Sequence, residues 1–386
     1  MLMAAPTLYT SSTADHAAVP AGAASPARGR RLRAPFVLAG HSVGRRRLIV
    51  CSVLGILLLI SVIVGAANGA APIPYGYVAR LLLRGVGLPV GLSLPQSDLT
   101  IVWTIRLPRV LIGALVGGAL ATSGAALQGL FRNPLADAGL LGIGAGGSLA
   151  AVIAITTGIA GISLWTLPAF AFIGAIGASV SIYSLAVVRG RVEPTTLILA
   201  GVAVSALLGA ITMTLILNTH DYNAILTILS WLIGGLIGRG WDYLAVSVAP
   251  IAIATIGLLI YSRDLNLLWA GEETAQALGV NVVRVRWMVL LLTALLTGTA
   301  VSIAGGIGFV GLIVPHALRL IVGPDHRVLL PASALGGAVF LTVADTIARM
   351  SLQPVELQVG IVTALFGAPF FLFLLWRQRR AVALQF

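Results

Sequence analysis

A chain of 386 residues that is 58% hydrophobic and only 9% charged falls outside the soluble globular class, where about a quarter of residues are charged. Its net charge of +12 rests entirely on arginine, and the absence of lysine excludes a P-loop nucleotide site and a Schiff-base lysine. One cysteine, Cys51, excludes an internal disulfide and a cysteine-rich metal site.

Residues 1–47 are rich in Ala, Ser, Pro and Arg and lack periodicity, which predicts a disordered basic tail. The stretch is too long and too studded with arginine for a signal peptide, and no small-residue cleavage site follows the first apolar run. Its arginines hold it on the cytoplasmic side, beside anionic headgroups. Ten apolar runs follow, each of roughly the 20 residues that cross about 30 Å of hydrocarbon as helix. They lie at 48–67, 108–129, 139–157, 165–187, 195–217, 242–261, 286–304, 306–322, 330–348 and 357–376. Uninterrupted runs such as LIVCSVLGILLLISVIVGAA, Leu48–Ala67, exclude the alternating pattern of a membrane barrel. With the N-terminus inside, 18 of the 24 arginines fall on the cytoplasmic side, as the positive-inside rule asks. Both termini are then cytoplasmic, the last residues, 379–386, as a short tail.

Three connections are not plain loops. Residues 68–107 form a long external link whose PYGYVARLLLRG reads as an amphipathic interfacial helix. Residues 219–241 are half-apolar and read as re-entrant or interfacial. Residues 262–285 read as a cytoplasmic pair of short amphipathic helices, broken at Gly271 and capped at Gly279. Many of the 45 glycines lie inside spans, where small residues let helices approach closely.

The run FRNPLADAGLLGIGAGG, Phe131–Gly147, puts a polar turn between two apolar spans. Pro134 stops a helix and Asn133 suits a turn. Taken alone, it reads equally well as an ordinary tight loop or as part of a gate. A small-residue run ending in a Pro turn recurs faintly, in ALATSGAALQGLFRNPLA and again in AVSIAGGIGFVGLIVPHA, and internal repeats are common among transporters.

Four ordered stretches then carry a resemblance. RLPRVLIGALVGGALATSGAALQGLFRNPLADAGLLGIGAGGSLA (Arg106–Ala150) is similar to the signature region of the FecCD family, and AGEETAQALGV (Ala270–Val280), GIGFVGLIVPHALRLIVGPDHRVLLPASALGGAVFLTVADTIAR (Gly306–Arg349) and ELQVGIVTALFGAPFF (Glu356–Phe371) follow its pattern in order. That family comprises the permeases of bacterial ATP-driven importers of iron–siderophores, haem and vitamin B12. The resemblance covers about 48–378. It implies an all-α polytopic permease of about ten spans, of the type II ABC importer class, in the bacterial cell membrane. It further implies a second permease copy or a paralogue, an ATP-binding-cassette ATPase dimer below and an extracytoplasmic substrate-binding protein above. No nucleic acid, cofactor, metal or catalytic residue is implied.

Residue by residue, the resemblance makes Asn133 and Leu135 part of the inner gate. It sets Arg106, Arg109 and Arg349 to receive acidic groups of the binding protein. It gives ATPase coupling to the element containing Gly271, Glu272, Glu273, Thr274, Ala277 and Gly279, with Leu265, Leu267, Leu268 and Trp269 as apolar surface. Gln358 stands where many members have Pro and leans towards the iron–siderophore branch. Asp345 is expected to pair with Arg349 one turn on, and His316 to be a hydrogen-bonded structural residue. Two other classes compete. An ion-coupled secondary transporter leaves 262–285 without a purpose. An intramembrane enzyme lacks HExxH and a G-x-S-x-G with a histidine partner, and Ser148 reads as a small packing residue.

Overall fold

The computed structural model describes residues 42–85, 87–88, 95–188, 191–192, 194–353 and 355–383; the expected tail up to residue 41 and the last three residues lie outside these. Among the described residues the regular structure is all-helical apart from a two-residue antiparallel pair, Val187–Val188 with Arg191–Val192. Helix α1 is Val43–Ala67. It begins earlier than the apolar run because Ser42 caps it, accepting a hydrogen bond from the Arg45 N–H. After α2 (Tyr75–Gly85), α3 (Gln96–Thr100) runs through a π-helical turn at Ile101–Arg106 into α4 (Leu107–Leu130). Much of the expected external link is therefore helix. Pro108 cannot donate a backbone hydrogen bond and its ring crowds the preceding turn. The wider π turn accommodates it, with the Leu107 N–H bonded to the Val102 carbonyl.

The remaining helices are α5 (Ile143–Thr156), α6 (Thr166–Ala186), α7 (Pro194–Leu217), α8 (Tyr222–Ile233), α9 (Trp241–Ile260), α10 (Ser262–Ala270), α11 (Glu272–Ala277), α12 (Val282–Ala304), α13 (Val310–Val322), α14 (His326–Ser351) and α15 (Val359–Ala383). Every expected span contains a helix. Among the described residues seven helices are long and apolar enough to cross a membrane, while Ile143–Thr156, Val310–Val322 and Val359–Phe373 are shorter apolar pieces. Helix α5 starts late because Ala138–Leu141 is a 3-10 turn ending at left-handed Gly142. Helix α13 starts late because Gly305 and Phe309, both at positive φ, break the chain. Helix α15 continues past the expected start of the C-terminal tail, since no Gly or Pro follows Pro369 to stop it.

Helix α4 is the axis of the bundle, packed against α14, α12 and α13. Its small face permits this. A side-chain carbon at Gly117 would collide with the Gly337 carbonyl oxygen of α14, and one at Gly124 with the Gly311 carbonyl oxygen of α13. Such close backbone approach is how membrane helices associate where water gives no drive between them.

Helix ends inside the bundle are answered by other segments. The Gly235 N–H donates to the Ala304 carbonyl at 2.8 Å, and the Gly360 N–H to the Gly234 carbonyl at 3.1 Å. The ends of α8 and α12 and the start of α15 are thus joined through their glycines, leaving fewer orphan carbonyls for a medium without water.

Replacing Gly337 with Leu is expected to force α4 and α14 apart. Overpacking of this kind costs about 1–3 kcal/mol, read as a lower Tm of the purified protein. Gly55→Ala on α1, where an added carbon meets nothing within 4 Å, should hold or raise the Tm, since Ala is favoured over Gly in a helix by roughly 0.5–1 kcal/mol.

Candidate functional site

The residues singled out in the sequence gather at two ends of the bundle. At one end the C-terminus of α1 meets two arginines, Arg106 and Arg349, and a third, Arg109, lies beside them. The Arg106 guanidinium donates to the carbonyls of Ala67 at 2.8 Å and Ala71 at 2.6 Å. Arg349 donates to the Gly65 carbonyl at 2.8 Å and the Asn68 carbonyl at 3.0 Å. Cations at a helix C-terminus satisfy its last carbonyls and oppose its dipole. The carboxylate of Asp345 lies between Arg109, at 2.9 Å, and Arg349, at 3.1 Å. Arg109 also reaches the half-exposed Glu356 at 2.6 Å.

The expected Asp345–Arg349 pair is present. The expectation that all three arginines present themselves to a partner meets a different geometry. Arg106, Arg109 and Arg349 are 7%, 8% and 4% exposed, and their donors engage α1, Asp345 and Glu356. For Arg106 and Arg349 the reason is that the end of α1 offers carbonyls which, at membrane depth, need donors more than the surface needs charge; Arg109 is held by Asp345 and Glu356. Glu356, which the sequence reading passed over within ELQVG, is the acid through which this network reaches the surface.

At the other end the polar turn closes α4. Arg132 adopts φ +50. The Asn133 side-chain oxygen accepts from the Leu135 N–H at 2.9 Å, and the Asp137 carboxylate from the Gly139 N–H at 2.9 Å. Burial pushes the Asp137 carboxyl above its usual range, and the Gly139 N–H draws it partly back. Leu135 lines a small crevice with Leu312, Ile313 and His316 of α13 and Phe370 and Phe371 of α15. His316 differs from expectation: its Nδ1 is buried without a partner, because apolar groups surround it there.

The pair α10–α11 sits at this same end. Gly271, at φ +139, separates the helices, and Gly279, at φ +83, ends the second. The Gly279 N–H donates to the Gln276 carbonyl and the Val280 N–H to the Ala275 carbonyl, a glycine-terminated helix end. Leu265, Leu268 and Ala275 are buried in the core. Leu265 and Leu268 therefore anchor the pair inward and offer no surface to a partner, while Leu267 and Trp269 are half-buried. Glu272 pairs with Arg286 of α12. Glu273, Thr274, Gln276, Ala277, Leu278 and Gly279 are exposed.

Asn266, overlooked in the sequence, fastens this pair to α14. Its amide donates to the Asp325 carboxylate at 2.7 Å, and its oxygen accepts from the His326 N–H at 2.8 Å. Asp325 caps α14 and binds Arg327. Burial alone would raise the Asp325 carboxyl, but the bonds from Arg327 and Asn266 outweigh it and hold the group at about 2. The Asp-His-Arg run after Gly-Pro was a readable cap signal; its partner 59 residues away was not.

Two outcomes follow. Asp345→Ala leaves buried guanidinium groups uncompensated, a loss of about 3–5 kcal/mol, expected as a large drop in Tm. At Asp325 the folded-state value lies below the ordinary value of about 3.9, so the ionised carboxylate stabilises above about pH 4 and the effect is lost as pH falls from about 4 to about 2. The Tm gap between wild type and Asp325→Asn should therefore close over that range.

Comparison with known proteins agrees with this architecture. The family model of the FecCD transport family matches residues 56–377. The chain is 43% identical over 361 residues to the cobalamin import system permease protein BtuC of Halobacterium salinarum, covering 86% of this chain and 96% of that one. It is 44% identical over 282 residues to the hemin transport system permease protein HmuU of Yersinia pestis, covering 72% and 84%. It is 42% identical over 276 residues to the Fe(3+) dicitrate transport system permease protein FecD of Escherichia coli, covering 71% and 84%. A solved ABC transporter described as of metal-chelate type, in an inward-facing conformation, superposes with TM-score 0.74 at 32% identity, covering 86% of this chain and 99% of that one. The protein is a membrane permease that belongs to the FecCD transport family of ABC importers.

Proposed function

We propose that this permease carries an iron–siderophore complex, driven by a separate ATPase dimer that docks on α10–α11. The observation that carries the coupling half is the pair itself: anchored inward by Leu265, Leu268 and Ala275, tied to α14 through Asn266, and bare at Glu273, Thr274 and Gln276–Gly279. A bare edge on a fixed base transmits force, and Ala277 with the 63%-exposed Leu278 supplies the apolar centre that a docking site needs inside a polar rim. The chain has no lysine and hence no P-loop of its own, so the energy arrives through a protein contact.

Cargo would pass between this chain and a second permease copy or paralogue. The apolar face formed by Ile233 of α8 and Ile361, Ala364 and Leu365 of α15, exposed at Ile233, Ala364 and Leu365, supports a wall there; Gln358 lies against Gly235. Asn133 and Leu135 would close the inner end. A binding protein would dock at the arginine end, meeting Glu356 and the surrounding surface, while Arg106, Arg109 and Arg349 set that surface from beneath. Gln358 favours iron–siderophore cargo; haem and cobalamin, carried by named relatives, are the alternatives. The membrane would be the bacterial cell membrane, with both termini, including the tail 1–47, in the cytoplasm.

Four measurements bear on this. Ala277→Trp, on an exposed site, should keep the Tm yet lose co-purification with the ATPase and lose import; normal import would move the coupling site elsewhere. Gly279→Ala should do less through bulk and more through strain, about 1 kcal/mol, because its backbone is left-handed. In a Cys51→Ser background, a cysteine at 135 should change its labelling by an impermeant thiol reagent from inside when ATP is trapped; constant labelling would leave the turn structural. Uptake of labelled ferric siderophore, haem and cobalamin by a strain lacking its own permeases decides the cargo.

A further inference from the structure

At the arginine end of the bundle, aromatic side chains form a belt. Trp103 and Trp241 pack with ring centroids 5.4 Å apart, and the Trp241 indole N–H donates to the Trp103 carbonyl at 2.9 Å. Trp165 and Tyr243 pack at 5.5 Å. Trp and Tyr gather where hydrocarbon gives way to headgroups. Directly at this belt, α6, α9 and α12 enclose an open groove of about 550 Å³. Its lining runs from Trp165, just before α6, to Phe172 on α6 and from Tyr243 to Pro250 on α9, about two helical turns, or roughly 10 Å of depth.

The walls reject a polar ligand. The hydroxyls in the floor are already used: Ser247 donates to the Tyr243 carbonyl at 2.6 Å, Thr299 to the Leu295 carbonyl at 2.7 Å, and Ser302 to the Thr299 carbonyl at 2.8 Å. What remains is apolar surface. The groove continues into lipid-facing helix flanks, since Ile173 lies one turn beyond Ala169 and Ile253 two turns beyond Val246 on the same faces, and these isoleucines are 67% and 63% exposed.

The mouth is cationic. The Arg239 guanidinium lies 4.5 Å above the Tyr243 ring, and its Nε is buried without a hydrogen-bond partner. A phosphate oxygen is the acceptor that suits the outer N–H groups of a guanidinium. An apolar groove at membrane depth, a ring belt at its lip and a guanidinium beside it match the two ends of one molecule. We propose that this groove is a binding site for a bilayer phospholipid, with an acyl chain between α6 and α9 and its phosphate on Arg239.

The test uses the full chain in phosphatidylcholine nanodiscs carrying a trace of phosphatidylglycerol with a photoreactive acyl chain, and crosslinks are mapped by mass spectrometry. Crosslinks are expected to concentrate on Ala169, Phe172 and Val246 and to be competed away by unlabelled phosphatidylglycerol. Ala169→Trp, at an exposed position, should fill the groove and abolish them without lowering the Tm. Arg239→Gln should weaken competition about tenfold, the worth of one charge-assisted hydrogen bond. Labelling spread equally over Ile60, Ile256 and the groove would mean ordinary annular lipid and overturn the site. A disulfide formed between two copies through a cysteine at 246, in a Cys51→Ser background, would mean that a second copy covers the groove and would overturn it equally.

Discussion

Every helix that ends inside a bilayer leaves carbonyls or N–H groups that water cannot reach, and this architecture is organised around answering them. The last carbonyls of α1 are met by Arg106 and Arg349. The broken ends of α8 and α12 are met by backbone N–H groups of Gly235, Gly306 and Gly360. The start of α14 is met by Asp325 and Asn266. Each answer also joins segments distant in sequence, so satisfying the backbone and assembling the bundle are one event.

The charges follow from the same need. An arginine brought to the end of α1 is a buried cation, and buried cations need partners. Asp345 serves two of them, Arg109 and Arg349, and Glu356 shares Arg109. The network therefore ties α1, α4 and α14 to the segment before α15. A surface reading of these arginines stops short because the strongest acceptors nearby belong to the chain itself.

At the opposite end, rigidity and exposure are divided within twenty residues. Helix α10 is fixed, with Leu265 and Leu268 in the core and Asn266 clamped to α14. Helix α11 keeps only Ala275 and the Glu272–Arg286 pair turned inward, and the rest faces outward. The glycines at 271 and 279 make the division possible, because both sit at positive φ, where a side chain would strain the backbone. The turn after α4 uses different means at the same end: Asn133 and Asp137 accept local N–H groups and hold Leu135 against α13 and α15.

The sequence by itself determined the class of the protein. Apolar run length and the rarity of charge require a polytopic helical bundle; the missing lysine denies it a P-loop; Gly271, Gly279 and Pro134 mark breaks that no tertiary context could erase. The i,i+4 spacing of Asp345 and Arg349 made their pairing legible, since helix geometry alone brings them together. Tertiary structure alone decided the rest. That Arg106 and Arg349 face inward depends on where α1 ends, and that Asn266 caps α14 depends on α10 folding back across 59 residues. Gly305 and Phe309 delay α13 although the run around them is apolar, because hydropathy measures what a residue prefers to touch and not which backbone conformation its neighbours leave open.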